Sequence, residues 1–309
     1  MEIHVIFNAG NPVRLFAMDA LKKLKDATDL YYRDKGLRHP YSAFSMVSNE
    51  LIDSTIDLID LIEEYVATFD GEKKGESPLN RRIRRATDQF IDAQAEFYDA
   101  CLSCIISMFP EGSKEAGRET RVFKDSTREY SRRVMVQANY IKHRHSKVVN
   151  MVQFAGQVII PGYFIESAQS HGGMGPSADI HNKYHGMHTA FSYNREIRLA
   201  LIGLLHVSQK LNERIGKIKS LTLEPDFDEV GAEKLKALIR RVEKLPNYVY
   251  SDEATKSLPI VEVSDDEIVI KFDKLKSGHR KELLWSRVHL MSEVDPVSKS
   301  FTLPYFRGR

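Results

Sequence analysis

The sequence predicts a mainly α fold, an N-terminal antiparallel four-helix bundle with a C-terminal α+β extension. Three observations carry this. Residues 41–69 hold the clearest helical period, with Phe44, Val47, Leu51, Leu58, Ile62, Tyr65 and Phe69 on one stripe. Helix-breaking residues recur at Gly36 and Pro40, in "DGEKKGESP", and at Pro110 and Gly112, so the first half divides into four long segments. Beyond Val148 the pattern changes to β-branched and aromatic runs.

Taken in order, "IHVIF" reads as a short opening strand, and Asn11-Pro12 marks a helix start because proline suits the first turn. The first helix is expected to run to about Lys35. The second spans Tyr41–Phe69, the third about Leu79–Phe109, and the fourth about Gly117–Val148. Short connections between long helices favour antiparallel neighbours, hence the up-down bundle. "QVIIPGYFIE" then reads as two strands or a strand with a turn, interrupted at Pro161-Gly162. A Gly/His loop leads to a helix over about Asn194–Lys219 and a shorter one over Asp228–Leu245. "LPIVEVSDDEIVIKFD" reads as a hairpin turning at its two aspartates, and "FTLPYF" as β. The domain division is therefore 1–148 for the bundle and 149–309 for the extension.

Composition excludes several classes. With 309 residues, 42% hydrophobic content and a net charge of +2, the chain can bury a sizeable core and has no wholesale attraction for polyanions or acidic membranes. No run approaches the ~20 apolar residues that span a bilayer, so no membrane partner is expected. The N-terminal run lacks a basic leader, and a cytoplasmic location is the expectation. Cys101 and Cys104, at helical i,i+3 spacing in "DACLSCIISMF", read as buried reduced thiols rather than half a zinc site.

The chemistry-bearing stretch is "QANYIKHRHSKVVN", residues 137–150. On a helix Asn139 and His143 share a face at i,i+4. His143 has the residue type for proton transfer near neutral pH, and Lys142 and Arg144 can offset a developing anion. Arg132 lies on nearly the same azimuth, but about 16 Å away along the axis. A solvated helix end explains the same residues without function, since cations there complement the helix dipole. Arg81, Arg82, Arg84 and Arg85 open the third helix, which in an antiparallel bundle starts where the fourth ends. With Arg132 and Lys147 they form a candidate RNA-binding face.

Four long helices, the last carrying Asn139-Tyr-Ile-Lys-His143, resemble the HEPN superfamily of helical bundles. The resemblance covers roughly the first half of the chain. It implies an RNA-directed protein of a defence or toxin–antitoxin type system, working as a homodimer and cleaving RNA without a metal or other cofactor. His143 would then be the general base or acid, Asn139 its orienting partner, and Lys142 and Arg144 the phosphate-neutralising groups. The family's motif arginine falls on Ala138, and without it the chain reads instead as a non-catalytic module binding nucleotide, RNA or a protein partner.

A weaker metal reading comes from His181, His185 and His188, whose spacing on a helix suits imidazole ligation. Asn182 and Lys183 follow His181, so this is not the His-Glu-x-x-His motif. "GGMG" lacks the Gly-Lys-Ser/Thr ending of a phosphate-binding loop.

Overall fold

The computed structural model describes residues 2–6, 13–69, 77–144, 146–155, 158–168, 173–185, 190–222, 229–250, 253, 257–264, 267–274 and 287–291. Its helices are α1 (Ala17–Lys23), α2 (Pro40–Thr68), α3 (Pro78–Ile106), α4 (Lys114–Ser126), α5 (Arg128–Arg144), α6 (Ala178–His185), α7 (Tyr193–Lys219) and α8 (Glu229–Glu243). Its strands are β1 (Glu2–Ile6), β2 (Val148–Ala155), β3 (Val158–Ala168), β4 (Met174–Pro176), β5 (Phe191–Ser192), β6 (Ser257–Val263), β7 (Glu267–Lys274) and β8 (Arg287–Leu290). The protein is mainly helical with small antiparallel sheets. The run at 301–306 and the linker at 70–76 lie outside the described residues.

Two long helices form the spine, and both start as their sequences demand. Pro40 and Pro78 occupy first-turn positions. His39 Nδ1 accepts the Tyr41 N–H and Ser77 Oγ accepts the Asn80 N–H, each satisfying an otherwise orphaned donor. The helices run antiparallel, since Cys104 Sγ lies 3.5 Å from Pro40 O at one end and Arg82 pairs with Glu64 at the other. Between them Phe44, Leu51 and Leu58 meet Ile83, Phe90 and Phe97 in one core. Both cysteines are free and buried there, and burial pushes the Cys104 thiol up to about 12. They are inert as nucleophiles.

The expected first helix is much shorter. α1 ends at Lys23, and the chain then follows turns, with Gly36 at φ +61° and the Tyr31 N–H donating 2.8 Å to Ser107 O beyond the end of α3. Backbone pairing with α3 replaces further helix. α1 is instead held on α7, whose Ser208 Oγ and Asn212 Oδ1 accept the N–H groups of Ala17 and Ala20. These are donors that a first turn leaves unsatisfied.

The expected fourth helix is two. Thr127, at φ −117° and ψ 16°, separates α4 from α5; its Oγ1 lies 2.8 Å from Phe123 O and 3.2 Å from Tyr98 Oη. α5 then stops at Arg144, and Val148, expected to close a helix, opens β2. β3 runs unbroken through Pro161 and Gly162, paired with β2 from Val148↔Ile165 to Ala155↔Val158. The order β4-β3-β2-β8 makes one sheet, with β5 also on β3, and β1-β7-β6 makes the other. The expected hairpin is β6–β7, closing at Val263↔Ile268.

The core does not stop at residue 148. One hydrophobic cluster joins Val13 through Met291, and Leu201, Leu204 and Leu211 of α7 belong to it alongside α3. α7 comes close because Gly203 has no side chain; a Cβ there would sit 2.2 Å from the Tyr130 ring. Arg198 is 1% exposed, and its guanidinium donates to Leu245 O at 2.6 Å, Pro246 O at 3.1 Å and Asn247 Oδ1 at 2.8 Å. It thereby fixes the segment that leaves α8.

Candidate nucleic-acid interface

α5 is a half-buried helix whose last turn carries the candidate groups. Tyr130, Val134, Gln137 and Ala138 face inward. Asn139, Lys142, His143 and Arg144 are exposed, as are Arg132 and, beyond the helix, Lys147. The i,i+4 pair Asn139 and His143 shares a face, as the period requires, and that face is open. Lys142 and Arg144 in the last turn suit the negative end of the helix dipole. Arg144 also lies over the Tyr140 ring, 5.2 Å from its centroid.

The helix is fixed from behind by a polar network. Arg133 Nη1 meets Glu196 Oε2 of α7 at 2.8 Å, and its Nη2 reaches Gln94 Oε1 of α3 at 3.3 Å. Gln137 Oε1 accepts the Tyr163 hydroxyl from β3 at 2.9 Å. Just past α5, Asn150 donates to Asn80 O at 3.4 Å and accepts the Tyr193 hydroxyl at 2.9 Å; that hydroxyl also lies 2.7 Å from Thr87 Oγ1. The segment after α5 is thus stapled to the start of α3, as an antiparallel arrangement requires.

The electrostatics differ from the expected basic face. Asp88, Asp92, Glu96 and Asp99 line α3 at i, i+4, i+8 and i+11, on one side of the helix. Burial and the neighbouring Asp92 push the Asp88 carboxyl up to about 6, with Arg84 opposing. Asp92, Glu96 and Asp99 are also raised, chiefly by desolvation, and Lys142 pulls all three back down. The field of Lys142 is therefore directed at α3 carboxylates. Sequence reasoning passed over this row although its spacing is visible in "DQFIDAQAEFYD"; its nearness to Lys142 follows only from packing.

The opening of α3 is engaged too. Arg82 pairs with Glu64 at 3.2 Å across α2, and Arg84 acts on Asp88. Arg81, Arg84 and Arg132 have interactions of their own, and Arg85 is exposed. Ala138, at the position of the family arginine, is 7% exposed and packs in the core, so that position does not face the open side.

His181 is fully buried. Its Nε2 accepts the Ile165 N–H at 3.2 Å and its ring lies 4.7 Å from that of Phe191. That lone pair is thus engaged by the backbone. The His185 side chain and His188 lie outside the described residues, and among the described residues no group of three or more His, Cys, Asp or Glu is placed to hold a metal. No family model, curated protein or solved structure matches the chain.

Proposed function

We propose that this chain is an RNA-directed protein whose contact surface is the exposed end of α5, with Asn139 and His143 as its reactive pair. One observation carries the reading: both side chains are solvent-open on the same face of a helix whose opposite face is locked into the core. In this reading His143 takes the proton of a ribose 2′-hydroxyl, the 2′-oxygen attacks the adjacent phosphorus, and the 5′-oxygen leaves with a proton. The second proton transfer falls to His143 of another copy in a homodimer. Asn139 orients the imidazole or the phosphate, and Lys142, Arg144 and Lys147 offset phosphate charge. The HEPN-like bundle, with α2, α3 and α4–α5 as its long rods, belongs to this proposal, as does a cytoplasmic location. Among the described residues no helix is long and apolar enough to cross a membrane.

The burial of Ala138 and the acidic surroundings of Lys142 favour a second reading, a non-catalytic module that binds RNA, nucleotide or a protein partner. The two readings separate binding from cleavage. For binding, single-stranded RNA titrated against wild type and Arg144→Gln/Lys147→Gln is expected to show weaker affinity in the variant. The salt dependence should be shallower by about 0.7 in log–log slope per lost phosphate contact. Equal affinity and slope would remove RNA from the account.

A further inference from the structure

We infer that the cleft between the end of α3 and the start of α4 binds a small phosphate-bearing polyanion, at a site separate from the end of α5. The cleft holds about 510 Å³ and is lined by Lys35, Arg121 and Lys124 together with Ile106, Pro110 and the first turn of α4. That volume lies within the range of sites that enclose small ligands, roughly 300–1,000 Å³. Among the described residues three cations line it and no carboxylate does. A monoanion would leave two of them uncompensated, whereas a phosphate ester or diphosphate matches them.

Each cation is available in a different way. Lys35 Nζ donates to Ile106 O at 2.9 Å, which holds the ammonium at the C-terminal end of α3 and leaves two N–H groups to give. Arg121 is exposed and has no ion pair among the described residues, so its planar fork is open to bidentate contact with a phosphoryl group. Lys124 is exposed and feels the field of Asp99 on α3. The N-terminus of α4 contributes the positive end of its dipole. Glu115, in the first turn of α4, accepts from the Ser113 hydroxyl at 2.9 Å and does not line the cleft. Gly112 turns the chain here at φ +72°, and Gly117 leaves the wall bare.

The test is calorimetric titration of the full chain with pyrophosphate at constant ionic strength in a phosphate-free buffer. Wild type is expected to bind saturably, and Arg121→Gln/Lys124→Gln at least tenfold more weakly. The control pair Arg240→Gln/Lys244→Gln, on exposed cations at the end of α8 that do not line the cleft, should bind like wild type, as should His143→Ala. Acetate should not saturate. Melting curves of the variants establish that they fold. No saturable pyrophosphate binding by wild type overturns the inference, as does equal weakening in the control pair, which would mark a general charge effect. Saturation by acetate overturns the polyanion class. Loss in His143→Ala would move the anion to α5. The readout contains no RNA, so failure of the RNA reading leaves this result standing by itself.

Discussion

Arg133 and Glu196 form a 2.8 Å ion pair that ties α5 to α7, with side chains 13% and 1% exposed. Arg133 follows the exposed Arg132 directly in sequence, yet in the fold it is the brace that holds α5 from behind. Removing the carboxylate leaves the guanidinium partly buried beside Gln94. Glu196→Ala should therefore destabilise the protein by about 3 kcal/mol in urea unfolding. Glu64→Ala, which breaks the exposed Arg82–Glu64 pair, should change it by less than ~1 kcal/mol.

Gly162 tolerates no side chain. A Cβ there would stand 2.2 Å from Phe191 O and 2.4 Å from Tyr250 Oη. Gly162→Ala should destabilise by about 2–3 kcal/mol, since β5 cannot retreat without opening β3. Tyr250→Phe in the same chain removes only the hydroxyl contact and should recover only part of the loss, which paired melts would show.

Asp88 makes stability depend on pH in a stated direction. Its folded pKa, about 6, lies above the usual 3.8, so the folded state binds the proton more tightly. The stability contributed by the protonated form is complete below pH ~4 and is lost as pH rises through about 6. Asp88→Asn should flatten the stability profile across that window and stabilise the protein at pH 7 by on the order of 2 kcal/mol. A profile unchanged by the substitution would remove Asp88 as its cause.

Arg198, itself buried, donates to the carbonyls of Leu245 and Pro246 and to Asn247 Oδ1. Its burial lowers it to about 10, so it remains charged at neutral pH. Arg198→Lys keeps the charge but cannot span Leu245 O, Pro246 O and Asn247 Oδ1 together. It should cost about 2–3 kcal/mol in chemical unfolding, as unsatisfied buried groups do.

The sequence declared most clearly what local rules decide. α2 and α3 were legible because an apolar period, a capping side chain and a first-turn proline agree at each. The break at Thr127 was not, because it depends on Tyr98 reaching from α3, a contact across 29 residues. The end of α1 depends similarly on Ser107 offering a carbonyl to Tyr31. Pro161 and Gly162 read as an interruption, but β3 needs the glycine for the approach of Tyr250. At the candidate site, that Asn139 and His143 share a face followed from periodicity; that this face is open did not. Nor did what they face, because the acidic row on α3 meets Lys142 only through helix packing. His181 shows the same limit: its spacing suggested a ligand, while its partner, the Ile165 N–H, comes from another element.

The most direct test of the central claim is cleavage of single-stranded RNA by the purified chain in excess chelator, wild type beside His143→Ala and Asn139→Ala. The account predicts cleavage by wild type that chelator leaves intact, products ending in a 2′,3′-cyclic phosphate, and a loss of at least a hundredfold in His143→Ala. Asn139→Ala should show a smaller loss. No cleavage by wild type, or equal cleavage by His143→Ala, would contradict it.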